Sequence, residues 1–320
     1  MSKKMILLKV FVFITILIML LQITSMIFIP KNNSKKAGMQ QATAYGFLSE
    51  KKNTIDMVVI GDSEAYSAIS PMQIYKEHGY TSYVCSAPRQ QLYEAYHLLT
   101  QVFKTQQPKL VILETNALFR HANANDVVLS KGMQQFPVLQ YHDRWKKITK
   151  EDFMQTPEYN ENITYKGFRF NRQIKASKVK NHMKKINNNK HIPLYNQYYF
   201  QKIYQLCKDK EIELILLSTP STKNWNYVKH NSVYTLASQY QCQYLDLNLV
   251  SSLHIDWKHD TRDQGDHMNY YGAYKVTRYL GQYLSKTHLL SDHRHDNDYK
   301  QWQIDLQQYE KDVKKKTESH

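Results

Sequence analysis

Two stretches of the chain hold residue types suited to nucleophilic chemistry. Gly61-Asp62-Ser63 directly follows the apolar run Asp56 to Ile60 and precedes an expected turn of helix. A serine at the carboxyl end of a buried strand and the start of a helix lies where backbone N–H groups favour developing negative charge. As a bare tripeptide it reads equally well as a helix cap made by Ser63 or Asp62. Far downstream comes Asp260-Thr-Arg-Asp263-Gln-Gly-Asp266-His267-Met-Asn269, just ahead of a helix with apolar positions Ala273, Val276, Leu280 and Leu284. A histidine flanked by carboxylates suits a general base, because the carboxylate orients the imidazole and stabilises its protonated form. The competing readings are a capping loop and a divalent-metal site made by the three aspartates. The metal reading lacks other clustered ligands nearby, so no metal and no cofactor is expected.

These residues need a scaffold, and the pattern between them supplies one. Asp56 to Ile60, Leu110 to Glu114, Leu214 to Ser218 and Gln243 to Leu247 are short apolar runs suited to strands buried on both faces, with Tyr83 to Cys85 as a further candidate. Leu92, Ala95, Tyr96, Leu99, Val102 and Phe103 recur at helical spacing. Alternating strands and helices predict a three-layer α/β/α domain with a mostly parallel sheet over residues 55–290. Residues 120–195 break the rhythm, being basic, aromatic and poor in strand signal. Such an insertion is expected over the carboxyl ends of the strands.

With 42% hydrophobic and 12% aromatic residues, the 320-residue chain is not intrinsically disordered, and three cysteines cannot form a disulfide framework. Forty-three Lys and Arg against 28 Asp and Glu give a net charge of +15, which predicts an anionic environment. Nucleic acid is a poor fit, since no helix-turn-helix, zinc-finger spacing or aromatic RNA-binding pattern accompanies the charge. Residues 10–29 carry no charge and are long enough to span a bilayer. No small-residue cleavage site follows before Pro30, so the segment is read as an uncleaved single-pass anchor rather than a signal peptide. Residues 1–9 are then a cytoplasmic N-terminus, 30–54 a stalk, and 291–320 a charged, solvated helical tail.

Taken together, the serine and histidine stretches resemble the SGNH or GDSL hydrolases, in which a serine after the first strand pairs with an Asp and a His just before the last helix. The resemblance covers roughly residues 55–287 and implies a catalytic Ser63, His267 and an acid. The family spacing is Asp-x-x-His, whereas Gln264 stands three before His267. Asp263 is therefore preferred, with Asp266 as the alternative. The resemblance also implies an oxyanion hole from the Ser63 N–H, a donor at Ser86 in place of the family's glycine, and Asn116 after the strand Leu110 to Glu114.

The likeness is strongest to a membrane-anchored branch that includes the D-alanine transfer protein of lipoteichoic acid and the peptidoglycan and alginate O-acetyltransferases. It implies an extracellular serine esterase or O-acyltransferase, a multi-spanning membrane O-acyltransferase as partner, and an anionic cell-surface polymer or lipid as substrate environment. The segment Pro137 to Trp145 and Lys166-Gly167-Phe168 resemble that branch's signature. His142 and Arg144 are expected to bind the anionic polymer and Trp145 to stack on a sugar. The competing reading has Trp145 and Tyr141 anchoring the insertion while Arg144 pairs with an aspartate. Ser218 to Ser221 and Trp225 either line the cleft or turn the chain. A stand-alone tethered esterase and a non-catalytic polymer-binding protein remain the alternative functions.

Overall fold

Three short runs rich in Val, Ile and Leu become the central strands of a sheet because helices cover both of their faces. The structure, a computed structural model, describes residues 2–121 and 123–318. In chain order the elements are α1 (Lys3–Phe28), β1 (Met57–Gly61), α2 (Ser63–Ala68), α3 (Pro71–His78), β2 (Ser82–Ser86), α4 (Leu92–Val102), β3 (Leu110–Glu114), α5 (Ala124–Gln135), α6 (Pro137–Tyr141), α7 (Leu194–Lys208), β4 (Glu213–Ser218), α8 (Tyr227–Tyr240), β5 (Gln243–Asp246), α9 (Tyr270–Ser285) and α10 (Lys300–Glu318). They fall into two compact units. The first comprises residues 1–42 and 123–161, and the second residues 43–122 and 162–320.

The second unit is the three-layer α/β/α domain that the sequence predicts. Its sheet is parallel throughout, in the order β2-β1-β3-β4-β5. Side chains alternate across each strand. Met57, Val59, Leu110, Ile112, Ile215 and Leu217 thus share a buried cluster with Val276, Leu280 and Leu284 of α9. The opposite face meets α4 and α7. Each fully buried Leu or Val contributes about 1.5–3 kcal/mol through desolvation, so a strand such as β1, buried at every position, is held firmly. The chain goes from β1 to β2 on one side and returns to β3 on the other. That reversal makes the carboxyl end of β1 the topological switch point, where doubly wound folds place their ligands.

Three sequence expectations about this unit are corrected. The segment read as a solvated tail contains α10, which docks through buried Trp302, Asp305 and Tyr309. Trp302 lies 5.4 Å from the Tyr75 ring, and buried Lys166 forms ion pairs with Glu50 at 2.7 Å and Asp305 at 2.6 Å. The segment read as a stalk is no free linker either, since its part in this unit buries Phe47 fully, 6.3 Å from the Tyr83 ring. The expected insertion is also not one piece. Residues 162–193 belong to this unit and run without helix or strand, tied by backbone hydrogen bonds such as Lys175 N–H to Thr261 O (2.9 Å) and Gln264 N–H to Lys175 O (3.1 Å).

The first unit combines α1 with residues 30–42 and the helical segment 123–161. Helix α1 has 26 residues and is long and apolar enough to cross a membrane. At 1.5 Å per residue it spans about 39 Å, more than a bilayer's hydrocarbon core of about 30 Å. It ends at Ile29, whose extended backbone is the conformation favoured ahead of a proline, here Pro30. Residues 33 and 39 are buried in this unit, so the segment after α1 is packed structure.

Candidate functional site

Ser63 is placed by the tight turn between β1 and α2. Gly61 passes so close to β3 that a Cβ there would stand 2.6 Å from Glu114 Cβ, which explains a glycine at this point. Asp62 is completely buried and caps α2, accepting from the Glu64 N–H at 2.9 Å. Its other oxygen accepts from Asn116 Nδ2 (2.9 Å), Arg120 Nε (2.7 Å) and Arg120 Nη2. Asp62 thus fixes the turn, and Ser63 opens the helix, where the first N–H groups have no intrahelical acceptor.

The partner of Ser63 comes from the loop before α9. This loop closes on itself through the antiparallel bridge between Thr261 and Met268, with Thr261 Oγ1 donating to His267 O at 3.1 Å and accepting from Gly265 N–H at 2.7 Å. Gln264 and Gly265 at its tip have positive φ, and a Cβ on Gly265 would stand 1.8 Å from Thr222 Oγ1. The tip turn brings Asp263 back beside His267 despite the four-residue spacing. His267 Nε2 lies 2.8 Å from Ser63 Oγ, and Nδ1 lies 2.7 Å from Asp263 Oδ2. The other Asp263 oxygen accepts the His267 backbone N–H at 2.7 Å. Asp266 Oδ1 is farther from Nδ1, at 3.5 Å. Partial burial pushes the Asp263 carboxyl up, but the hydrogen bonds from the His267 side chain and backbone outweigh it and hold the group below the ordinary Asp range.

A set of buried charged groups surrounds this contact. Asn224 Nδ2 donates to Glu64 Oε1 at 2.6 Å and also to Asp266 Oδ1, joining the two carboxyls. Burial first, then the charges of Asp62 and Glu114, raise Glu64 well above the usual carboxyl range. Burial and Asp62 do the same to Glu114. Burial also lowers Lys229, against the opposing pull of Glu114 and Asp62; its Nζ donates to Asn116 Oδ1 at 3.0 Å. Glu64, Asp266 and His267 offer ligand atoms within 4.8 Å of one another. Asn224 nevertheless places an N–H donor between the two carboxyls, where a cation would need a lone pair. The three aspartates weighed as metal ligands do not converge, since Asp260 is bound to Lys275 Nζ at 2.6 Å and to the Asp256 N–H at 2.7 Å.

The expected oxyanion donors are placed as follows. One Asn116 Nδ2 hydrogen goes to Asp62, leaving the second. Ser86 pairs with Gly61 at the end of the β2–β1 ladder and its buried Oγ has no hydrogen-bond partner among the described residues. The next amide, Ala87 N–H, is taken by Gln90 Oε1 at 2.7 Å. Ser221 Oγ donates to Gly265 O (3.0 Å) and Asp266 O (2.8 Å), so the strand β4 turn braces the histidine loop. Trp225 Nε1 donates to Asp246 Oδ2 at 3.0 Å.

Of the residues expected to bind substrate, Arg144 follows the competing reading, paired with an aspartate, while His142 and Trp145 are exposed. All three belong to the first unit. Arg144 is buried, pairs with Asp152 at 2.9 Å and donates to Phe28 O at 2.6 Å, so its charge serves the end of α1 and is not free for an anion. His142 Nδ1 lies 2.9 Å from Leu139 O, and the Trp145 ring is exposed. Sequence reasoning missed Glu64, Arg120, Asn224 and Lys229. Glu64 has the look of an ordinary first-turn helix acid, and the other three lie in no recognisable motif.

No family model and no curated protein matches the chain. Among solved structures it is similar to a GDSL-like lipase from Bacteroides thetaiotaomicron, at 13% identity and a TM-score of 0.38, covering 72% of this chain and 88% of that one. It is similar to the psychrotrophic esterase EstA from a Pseudoalteromonas species, at 10% identity and a TM-score of 0.38, covering 72% and 98%. It is also similar to the lipase/acylhydrolase from Enterococcus faecalis, at 9% identity and a TM-score of 0.37, covering 73% and 97%. Likeness at this level carries no functional argument, and the chemistry rests on the hydroxyl, imidazole and carboxylate that this chain itself aligns.

Proposed function

We propose that this protein is a serine-dependent acyl-transfer enzyme of the SGNH type, acting as an esterase or O-acyltransferase outside the membrane that α1 anchors it to. The single observation that carries the reading is the line from Ser63 Oγ to His267 Nε2 and from His267 Nδ1 to Asp263 Oδ2, at 2.8 and 2.7 Å. His267 takes the Ser63 proton as Oγ attacks an acyl carbonyl, and Asp263 stabilises the imidazolium that forms. The carbonyl oxygen, now negative, is held by the Ser63 N–H, the remaining Asn116 Nδ2 hydrogen and a donor at Ser86. His267 then returns its proton to the leaving oxygen or sulfur, which departs and leaves acyl-Ser63. In the second half His267 deprotonates water or an acceptor hydroxyl, which attacks the acyl-serine and releases Ser63. Asp266, at 3.5 Å, supports the imidazolium electrostatically, while Asp263 is the triad acid.

The apolar helix favours transfer over hydrolysis, since an anchored serine meets a donor delivered through the membrane. Under this reading a multi-spanning O-acyltransferase supplies the acyl group, and an anionic cell-surface polymer or lipid, attracted by the net charge of +15, accepts it. A fluorophosphonate probe on the detergent-solubilised full chain tests the chemistry: labelling is expected for the wild type and absent for Ser63→Ala. A folded wild-type protein that does not label would leave a non-catalytic polymer-binding role. Acyl transfer from labelled membranes to isolated wall polymer separates the transferase from a tethered esterase, which releases free acid.

A further inference from the structure

The first unit exposes large apolar side chains close along the chain to a residue that grips α1. Arg144 donates to Phe28 O (2.6 Å) and Ile27 O (3.4 Å), the last carbonyls of the apolar helix, and Val138 N–H donates to Ser25 Oγ at 3.2 Å. These bonds hold the segment at the level of helix residues 25–28. The apolar run stops at Pro30, so in a spanning α1 this level is the edge of the bilayer. The neighbour of Arg144 is Trp145, which is 63% exposed; Phe153 is 64% and Met154 89% exposed on the next turn. Arg144 and Asp152, paired at 2.9 Å, pin both turns, so the three apolar groups are not loose ends. Exposed Lys146, Lys147 and Lys150 lie between Trp145 and Phe153, against exposed Asp143 and Glu151, and Lys35 and Lys36 add charge just past α1.

We propose that residues 145–154 form a second membrane contact, in which Trp145, Phe153 and Met154 enter the interface of an anionic phospholipid surface and the three lysines meet its phosphates. Tryptophan favours this depth because its ring is apolar and its N–H is polar. Lysines beside it gain from an anionic surface and keep their heads in water. The proposal rests on α1 spanning the bilayer, as the proposed function does. With α1 alone the unit would rotate freely about the helix axis; a second contact fixes its orientation to the membrane.

The test uses the full chain with Cys242→Ser, reconstituted in phosphatidylglycerol–phosphatidylcholine vesicles, carrying an environment-sensitive fluorophore at Leu17→Cys or Phe153→Cys. Both remaining native cysteines, Cys85 and Cys207, are buried. The probe at position 17 is expected to be quenched by nitroxides deep in the acyl chains. The probe at 153 is expected to be quenched by shallow nitroxides, with at least about twofold less quenching in phosphatidylcholine alone or after Lys146→Gln, Lys147→Gln and Lys150→Gln together. Brominated lipid should quench native tryptophan emission, and Trp145→Phe should remove that component, a readout free of added probes. A deep probe at 17 with a water-quenched probe at 153 overturns the second contact alone. A water-exposed probe at 17 overturns the anchor and this inference with it. Shielding at 153 in native membranes but not in pure lipid assigns the surface to a protein and overturns the lipid proposal.

Discussion

Strand β1 has a histidine–aspartate pair at each end, and the two ends behave differently. At the carboxyl end His267 has Asp263 on Nδ1 and the Ser63 hydroxyl on Nε2. At the amino end His293 has Asp296 on Nδ1 at 2.6 Å and Asp56 on Nε2 at 3.0 Å, with Lys109 Nζ also 3.0 Å from Asp56 and the Tyr299 ring stacked at 4.0 Å. Both ring nitrogens of His293 face carboxylates, so neither is available to take a proton from a nucleophile. An acid–histidine pair is therefore no site by itself. The third partner decides, and only the carboxyl end offers a hydroxyl at a helix start beside the switch point of the sheet.

Mutations that exchange these properties should separate the ends. The largest effects are expected from Ser63→Ala, which abolishes fluorophosphonate labelling, and His267→Ala, which slows it about 10³-fold, read as labelling rate on folded protein. Next, Asp263→Asn is expected to cost about 10²-fold or more and Asp266→Asn less than about tenfold, because only the first fixes the tautomer; equal losses would undo the assignment of the acid. His293→Ala should leave the labelling rate unchanged yet lower stability by about 2 kcal/mol through lost charge-assisted hydrogen bonds, seen as a lower denaturant midpoint.

The smallest expected effect is on pH dependence. Glu64 is raised in the folded chain, so its contribution to stability is full below the ordinary unfolded carboxyl range and is lost as pH rises towards its folded value. Asp263 is lowered, so its contribution is present above its unfolded value and lost as pH falls through the folded one. Glu64→Gln should thus flatten the loss of stability on the rising-pH side and leave the acid side alone. A melting curve against pH that changes only on the acid side would contradict it.

The strands and the Ser63–His267–Asp263 contact were legible because each depends on local signals: continuous apolar runs, and a serine or histidine next to an element boundary. The choice of Asp263 over Asp266 needed only the direction of adjacent side chains. What was illegible depends on partners distant in sequence. Trp302 and Tyr309 looked like a solvated helix's stray aromatics because Lys166, the cation that pairs with Asp305 and lies 5.0 Å over the Trp302 ring, sits far upstream. The pairing of Arg144 with an aspartate was open in the sequence, but its bond to Phe28 O was not, because a carbonyl at a helix end has no sequence signature. Glu64 and Asn224 share a bond across 160 positions of the chain, and no spacing rule reaches that far.

The first unit is also discontinuous in a way that bears on synthesis. Helix α1 leaves the ribosome well ahead of residues 123–161, which complete its unit and follow only after β1, β2 and β3 have been made. The carbonyls that Arg144 will bind therefore wait through the making of half a sheet, a long-range closure of the kind that slows folding. Removal of the leading helix by a peptidase would strip this unit of its longest element. A processed form, if made, would have Arg144 and Asp152 without the helix end that they hold, and its susceptibility to proteolysis between residues 123 and 161 would give it away.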